Sequence, residues 1–306
     1  MIVSATRRAD LPAHYAAWFL ERARAGWCAV PNPFNALQVS RVSLAAKDVE
    51  AIVFWTRDPR PMIPHLAELD RLGLPSVFQF TLLEYPSAIH PGMPPLVERI
   101  EAFRRLAGEI GPERVLWRYD PVLLCASAGT DYHLRMFEAL CRELEGNTRR
   151  VTVSLMEPYR KARRRLAAAG VDLLAPGEGA VGAMFKDMAA MAHGCGMEPA
   201  SCADEAGLEA LGFVPGACID AGLIKRLFEV ETSAGKDASQ RPACRCAPSR
   251  DIGMYDACPA GCAYCYATRD FALARRNRAA HDPASPSMLG RWEPQAQEQR
   301  QLLPGI

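Results

Sequence analysis

The sequence lacks the features that would place it in a membrane or on a polyanion. No apolar run approaches the ~18 residues of a membrane-spanning helix. The first ten residues, MIVSATRRAD, lack the apolar stretch that follows the charges of a signal peptide. Lys and Arg exceed Asp and Glu by only 36 − 35 = 1, so no global field attracts nucleic acid or anionic lipid. These absences predict a cytoplasmic protein with no membrane partner.

Common ligand-binding motifs are missing as well. The six histidines are scattered, and no G-x-G-x-x-G or P-loop motif follows a predicted strand. The composition is otherwise that of a globular chain, with 49% hydrophobic and 23% charged residues. The unusual quantity is 11 cysteines. In a reducing compartment, clustered cysteines are more often metal ligands or catalytic groups than disulfides.

Short β-rich runs alternate with helical stretches, such as the apolar residues that recur every three to four positions between Leu96 and Ile110. Strands are predicted at residues 2–5, 52–55, 77–80, 115–117, 151–155, 198–201 and 217–219. Repeated strand–helix units predict an α/β fold with a parallel sheet. We expect a TIM-like (β/α) barrel, complete or incomplete, with a small C-terminal cysteine-rich iron–sulfur region. A doubly wound open sheet is the alternative.

Composition also predicts the division of the chain. Residues 1–231 form the barrel-like domain, and residues 232–240, rich in small and polar side chains, form a linker. Residues 241–280 form the cysteine-rich, cluster-binding region. Residues 281–306 are a polar tail that we expect to be loosely ordered.

Three cysteines of the C-terminal region, Cys258, Cys262 and Cys265, have the spacing C-x3-C-x2-C. Three thiolates on one loop reach three irons of a [4Fe–4S] cubane and leave the fourth iron open to a cofactor or substrate. Gly261 permits the tight backbone that such a loop needs, and Tyr264 is placed to pack over the cluster as a cofactor-binding residue. The alternative is a structural zinc ion held by Cys244 and Cys246 together with two cysteines of the loop.

This spacing, with an aromatic residue before the last cysteine, resembles the signature of radical S-adenosylmethionine enzymes, and residues 252–267 look like the cluster loop of spore-photoproduct-lyase-like members. The rest of the chain is similar to an uncharacterised bacterial family, DUF1848. The segments that carry this similarity include SATRRAD (4–10), NPFN (32–35), VSRVS (39–43), VFWT (53–56), FQFT (78–81), WRYDP (117–121) and GACID (216–220).

The resemblance implies a [4Fe–4S] cluster, S-adenosylmethionine, and an electron donor of the ferredoxin or flavodoxin type. Two features depart from the radical enzymes. Their cysteine loop normally lies near the N-terminus, and no Gly-Gly-Glu follows the loop of this chain to hold the amino group of the methionine.

Four further cysteines lie in the last third of the sequence: Cys202, Cys218, Cys244 and Cys246. Four is the number of ligands that a second iron–sulfur cluster or a zinc ion needs. We therefore expect a second metal site, with burial of Cys202 and Cys218 as ordinary core residues as the alternative. The cysteines that stand singly, Cys28, Cys125, Cys141 and Cys195, are predicted to be core residues.

Polar residues at predicted strand ends supply candidates for a substrate pocket, because barrel enzymes carry their chemistry there. Arg7 and Arg8 are suited to clamp a carboxylate or phosphate, and Asp120 to act as an acid or base or to orient Arg118. The alternative for Arg118 and Asp120 is a structural ion pair, and Asp10 is predicted to cap a helix. The same rule names Thr6, Thr56, Arg57, Gln79, Thr81, Glu157 and Asp204.

Three functions follow from these patterns. The first is a radical S-adenosylmethionine-type enzyme acting on an unknown small-molecule or macromolecular substrate at the barrel mouth. The second is a non-catalytic iron–sulfur or zinc protein. The third is a nucleic-acid-directed lyase or repair-like protein that uses the basic run 160–165, RKARRR, which is otherwise a solvated helix face.

Overall fold

The computed structural model describes residues 1–175, 177–203, 207–232 and 235–294. Its strands are β1 (Ile2–Ala5), β2 (Trp27–Asn32), β3 (Asn35–Ser43), β4 (Ala51–Thr56), β5 (Ser76–Thr81), β6 (Val115–Val122), β7 (Arg150–Leu155), β8 (Glu198–Cys202), β9 (Val214–Gly216) and β10 (Arg250–Asp251). Its α-helices are α1 (Leu11–His14), α2 (Ala16–Ala25), α3 (Leu66–Arg71), α4 (Leu96–Ile110), α5 (Thr130–Leu144), α6 (Arg160–Ala168), α7 (Glu178–Gly194), α8 (Ala221–Phe228) and α9 (Phe271–Ala279). Short 3-10 helices occupy Ala46–Asp48, Ile63–His65 and Leu208–Leu211.

The main sheet has eight parallel strands in the order β10-β1-β4-β5-β6-β7-β8-β9. β1 pairs with β4, each strand from β4 to β8 pairs with the next one along the chain, and β10 returns to the free side of β1. Among the described residues no ladder joins β9 to β10, so the sheet is not closed into a barrel. The fold is therefore α/β with a large parallel sheet, and the predicted TIM barrel is not confirmed.

The predicted strands lie within observed strands, with one exception. Residues 217–219 are not a strand, because β9 ends at Gly216 and Cys218 lies beyond its carboxyl end. The carbonyl of Cys218 accepts a hydrogen bond from Nε2 of Gln79 at 2.7 Å instead of one from a ladder. A second, antiparallel sheet of β2 and β3 stands apart from the main one.

The core of the main sheet includes residues from the C-terminal region. Ile252, Ala257 and Met288 belong to the same buried cluster as Val3 and Phe54. The backbone amide of Ala29 donates to the carbonyl of Pro286 at 2.8 Å, and Nε1 of Trp18 donates to Ser285 at 2.9 Å. The expectation of a loosely ordered tail is therefore wrong for residues 285–289.

Some predictions concern residues outside those described. Asp204, residues 233 and 234 of the predicted linker and residues 295–306 of the predicted tail fall there. The proposed division into domains stays a prediction. None of the described helices has the length and apolar character needed to cross a membrane.

Candidate functional site

The cysteine-rich region reaches the carboxyl edge of the main sheet because β10 runs parallel to β1 and ends at that edge. Asp251, the last residue of β10, accepts hydrogen bonds from the hydroxyls of Ser4 and Thr6 and from the amide of Arg7. The chain that follows passes the ends of β1 and β4: the amide of Ile252 donates to the carbonyl of Ser4 at 3.0 Å, and Arg57 donates to the Tyr264 hydroxyl. In parallel α/β folds this edge is where ligands bind and chemistry occurs.

Cys258, Cys262 and Cys265, here called the loop triad, lie on one loop, in which a tight turn joins Cys262 to Cys265. The amide of Cys265 donates to the carbonyl of Cys262 at 3.0 Å. The Thr268 hydroxyl lies 3.5 Å from the carbonyl of Cys258 and 3.8 Å from Sγ of Cys265. Gly261 has φ +83°, a left-handed conformation that an L-residue rarely adopts. The tight backbone predicted at Gly261 is therefore observed.

The surroundings of the loop triad contain hydrogen-bond donors and a cation directed at sulfur. Burial raises the pKa of the Cys258 thiol to about 12, while backbone N–H groups of Asp10 and Ala260 donate to its sulfur and oppose that rise. Burial also raises the pKa of Cys262, and the positive charge of Arg57 opposes it. Donors and cations of this kind stabilise thiolates and sulfur ligands of clusters.

Tyr264 is fixed by a polar network on its other side. Arg57 donates to the Tyr264 hydroxyl, and that oxygen lies 2.5 Å from Nε2 of His90. Burial, followed by the charges of Arg57 and Arg99, lowers the pKa of His90 to about 2, so His90 is neutral. Sequence reasoning named Arg57 only as a strand-end residue and missed His90, because the histidines showed no motif.

Arg57 itself is held by Asp10. The Asp10 carboxylate accepts from the amide of Arg57 at 2.7 Å, from the Thr56 hydroxyl at 2.8 Å and from the amide of Ala13 at 3.1 Å. The last contact caps α1, as predicted. Asp10 therefore fastens the end of β4 to the segment after β1.

The other late cysteines, Cys202, Cys218, Cys244 and Cys246, come together and are here called the sulfur tetrad. Cys202 ends β8 and Cys218 follows β9. Their sulfurs are 3.4 Å apart. Cys218, Cys244 and Cys246 belong to one buried cluster, and Cys202 packs against it. The alternative zinc site shared with the loop stays a prediction.

The neighbouring thiols shift one another's pKa values. Hydrogen bonding with Cys218 raises the pKa of Cys202, and hydrogen bonding with Cys246 lowers the pKa of Cys244 to about 6. Of the predicted core cysteines, Cys28, Cys125 and Cys141 are buried and Cys195 is half-buried.

The three residues predicted to be catalytic do not share one pocket. Arg7 lies over the ring of Trp55 at 5.1 Å, near the thiols of Cys246 and Cys218 and the carboxylate of Asp251. Arg8 instead donates to the carbonyl of Gly253 at 3.1 Å and stacks on Tyr255 at 4.9 Å. The two guanidinium groups therefore do not form the paired clamp that the sequence suggested.

Asp120 pairs with Arg118 at the end of β6, as expected from the alternative of a structural ion pair. Arg118 donates to Asp120 and to Sγ of Cys218, and the Ser154 hydroxyl also donates to Asp120. Arg118 is 7% exposed, so its charge acts in a poorly solvated setting. This pair connects the strand to the sulfur tetrad.

Most of the chain matches one known protein family. The model of the family described as "Domain of unknown function (DUF1848)" matches residues 2–267. The chain belongs to the DUF1848 family. No curated protein and no solved structure gives a significant match. The matched range includes both the main sheet and the loop triad.

In this DUF1848 chain the basic run of α6 supports the loop triad. Arg165 donates to the carbonyls of Cys265 at 2.7 Å and Arg269 at 3.0 Å, and also to that of Thr268. Lys161 donates to the carbonyl of Tyr266 at 3.3 Å. Arg163 and Arg164 remain exposed. The expectation that the whole run is a solvated face is therefore wrong for Lys161 and Arg165.

No group of three or more His, Cys, Asp or Glu side chains in the described parts of the DUF1848 chain is arranged to hold a metal ion. A single ion requires ligands that converge on one point, whereas the tetrad thiols are joined in pairs. A cubane takes one thiolate per iron, so the ligands of a loop triad need not converge. The donor set suits soft metals, and binding requires the thiols to reorient.

Proposed function

We propose that this DUF1848 chain is an iron–sulfur enzyme of the radical S-adenosylmethionine type, with a [4Fe–4S] cluster on Cys258, Cys262 and Cys265. The observation that carries the proposal is the position of the loop triad. Its three cysteines lie within eight residues beside the segments that follow β1 and β4, with Asp10 near Cys258 and Arg57 near Cys262.

The donor chemistry of the site fits such a cluster. Three thiols match three irons, and the open fourth iron is where S-adenosylmethionine is expected to bind. When bound, the cluster supplies the electron that cleaves S-adenosylmethionine to a carbon radical. The chain's own residues fix the loop: Arg57 and His90 hold the Tyr264 hydroxyl, and Arg165 holds the carbonyl of Cys265.

A curved sheet supports a substrate site beside the loop. In the sheet order three strands separate β5 from β9, yet Gln79 of β5 donates to the carbonyl of Cys218 beyond β9 at 2.7 Å. This contact supports an incomplete (β/α) barrel with an open seam. Arg118 and Asp120 then lie at its mouth, where a buried ion pair is suited to bind and orient a polar substrate.

The proposal includes a ferredoxin- or flavodoxin-type electron donor and a reducing, cytoplasmic location. All eleven cysteines carry free thiols, which supports such a location.

Anaerobic purification of the full chain tests the cluster. We expect brown protein with about four irons and four sulfides per chain, and release of 5′-deoxyadenosine when S-adenosylmethionine and dithionite are added. The variant Cys262→Ala should lose iron and activity together, while the control Cys195→Ser keeps both. Colourless protein, or unchanged iron in Cys262→Ala, would refute the proposal. An intact cluster without cleavage of S-adenosylmethionine would favour the non-catalytic alternative.

A further inference from the structure

The sulfur tetrad lies at the open seam of the main sheet. Where no ladder joins β9 to β10, the described segments beyond them meet through a few contacts. The amide of Ala247 donates to the carbonyl of Ile219 at 3.0 Å, and the amide of Ile219 donates to Sγ of Cys246 at 3.5 Å. The tetrad brings Cys202 and Cys218, from two strand ends, against Cys244 and Cys246 of the C-terminal region.

The spacing of the sulfurs suits a single small ion better than a cubane. Four thiolates around a tetrahedral zinc ion, with Zn–S near 2.3 Å, lie about 3.8 Å from one another. The sulfurs of Cys202 and Cys218 are already 3.4 Å apart. A cubane holds each thiolate on a different iron and needs wider spacing. One pair of the four sulfurs therefore already has a spacing close to that of a zinc site, and binding of one ion requires the thiols of Cys244 and Cys246 to turn toward this pair.

The charges around the tetrad match what such an ion would carry. Four thiolates and one divalent cation have a net charge of −4 + 2 = −2. Arg118 donates to Sγ of Cys218, and the guanidinium of Arg7 is near enough to Cys246 and Cys218 to attract their thiolate forms. Nη2 of Arg7 is buried without a hydrogen-bond partner among the described residues. A thiolate sulfur is an acceptor that this donor otherwise lacks.

We propose that Cys202, Cys218, Cys244 and Cys246 bind one zinc ion, which fastens the C-terminal cysteine region to the ends of β8 and β9. Each thiol releases its proton to solvent as the ion binds, and no electron is transferred. The site is separate from the loop triad and does not depend on the proposed radical chemistry.

The test is the metal content of the full chain, purified anaerobically without added metal and measured by mass spectrometry. We expect about one zinc ion per chain in the wild type. Cys202→Ser and Cys244→Ser should each lose it, and the matched control Cys195→Ser should keep it. The triple variant Cys258→Ala, Cys262→Ala, Cys265→Ala should keep zinc, so failure of the loop cluster and failure of the zinc site are distinguishable.

A spectroscopic measurement tests the zinc site even if Cys202→Ser and Cys244→Ser fail to fold. The triple loop variant, expressed in cobalt-containing medium, should show the visible absorption of a tetrahedral cobalt–thiolate site. The proposal would be overturned by a wild type without zinc, or by zinc retained in Cys202→Ser and Cys244→Ser. It would equally be overturned by the absence of cobalt–thiolate bands, by a second cubane in the wild type, or by a disulfide between Cys202 and Cys218.

Discussion

Among single residues, the Arg118–Asp120 pair contacts the sulfur tetrad and acts electrostatically on residues of the loop-triad site. Arg118 contacts Cys218 of the sulfur tetrad. On the other side, the charge of Asp120 acts on Arg57 and Tyr264, which contact the loop triad. Both side chains are largely removed from solvent: the exposed fraction is 9% for the side chain of Arg118 and 18% for the side chain of Asp120. Neutralising one partner leaves the other charge poorly solvated.

We predict that Asp120→Asn lowers the free energy of unfolding by about 3 kcal/mol, because breaking a buried pair leaves an uncompensated charge. Urea unfolding of the full chain measures this. The matched control is Glu138→Gln, which removes the exposed partner of Arg142 on α5 and should change little. Equal effects of the two changes would contradict a buried role for Asp120.

His133 gives the fold a pH dependence away from the cysteines. It is fully buried on α5, with Nδ1 2.8 Å from the Tyr119 hydroxyl and Nε2 donating to the carbonyl of Leu123 at 3.0 Å. Burial lowers its pKa from the ordinary value near 6.5. The unfolded chain therefore takes up a proton near pH 6.5 that the folded chain refuses, and stability falls as pH falls below that value.

We predict that His133→Gln, which does not titrate, loses less stability than the wild type between pH 7.5 and 5.5. Urea unfolding at both pH values measures the difference. The other histidines with a lowered pKa contribute equally to both proteins, so the comparison isolates His133. An unchanged pH dependence would show that folding does not lower the pKa of His133.

Among the elements, α6 holds the C-terminal end of the loop triad through hydrogen bonds to its backbone carbonyls. Its Arg165 donates to the carbonyls of Cys265 and Arg269, at the C-terminal end of the loop, and stacks over Phe271 of α9 at 4.5 Å. A short helix of this composition is not stable alone, so its packing against the loop orders both partners.

We predict that Arg165→Gln accelerates amide hydrogen exchange in residues 258–269, because three carbonyl contacts lose their donor. Arg164→Gln is the matched control, since Arg164 is exposed on the same helix. Hydrogen exchange of the full chain, read by mass spectrometry, compares them. Unchanged protection in Arg165→Gln would remove the bracing role.

For the whole molecule, the C-terminal region completes the main sheet and its core. β10 pairs with β1, and Ile252 and Ala257 are buried in the same cluster as Val3. The segment 1–231 by itself would expose the edge of β1 and this apolar surface.

We predict that a fragment of residues 1–231 shows no cooperative thermal transition comparable to that of the full chain, as measured by circular dichroism. The full chain under the same buffer is the control. A fragment that unfolds cooperatively at the same temperature would show that the predicted boundary separates two independent domains.

Local patterns in the sequence determined much of the fold. Apolar residues recurring every three to four positions predicted α4 with its observed ends, Leu96–Ile110. Short apolar runs predicted β1 as Ile2–Ala5 and the buried β4 and β5, because strands covered on both faces need continuous apolar residues. The strand error at Cys218 arose because apolar residues after Gly216 imitate a strand.

The spacing of the loop triad and the need for Gly261 were likewise fixed by the sequence, because these residues are neighbours along the chain. What the tertiary structure alone decided depends on contacts between distant residues. The pairing of β10 with β1, the contact of His90 with Tyr264 and the assembly of the sulfur tetrad are of this kind. No local periodicity records them, since each depends on how the parallel sheet curves and which strand ends it brings together.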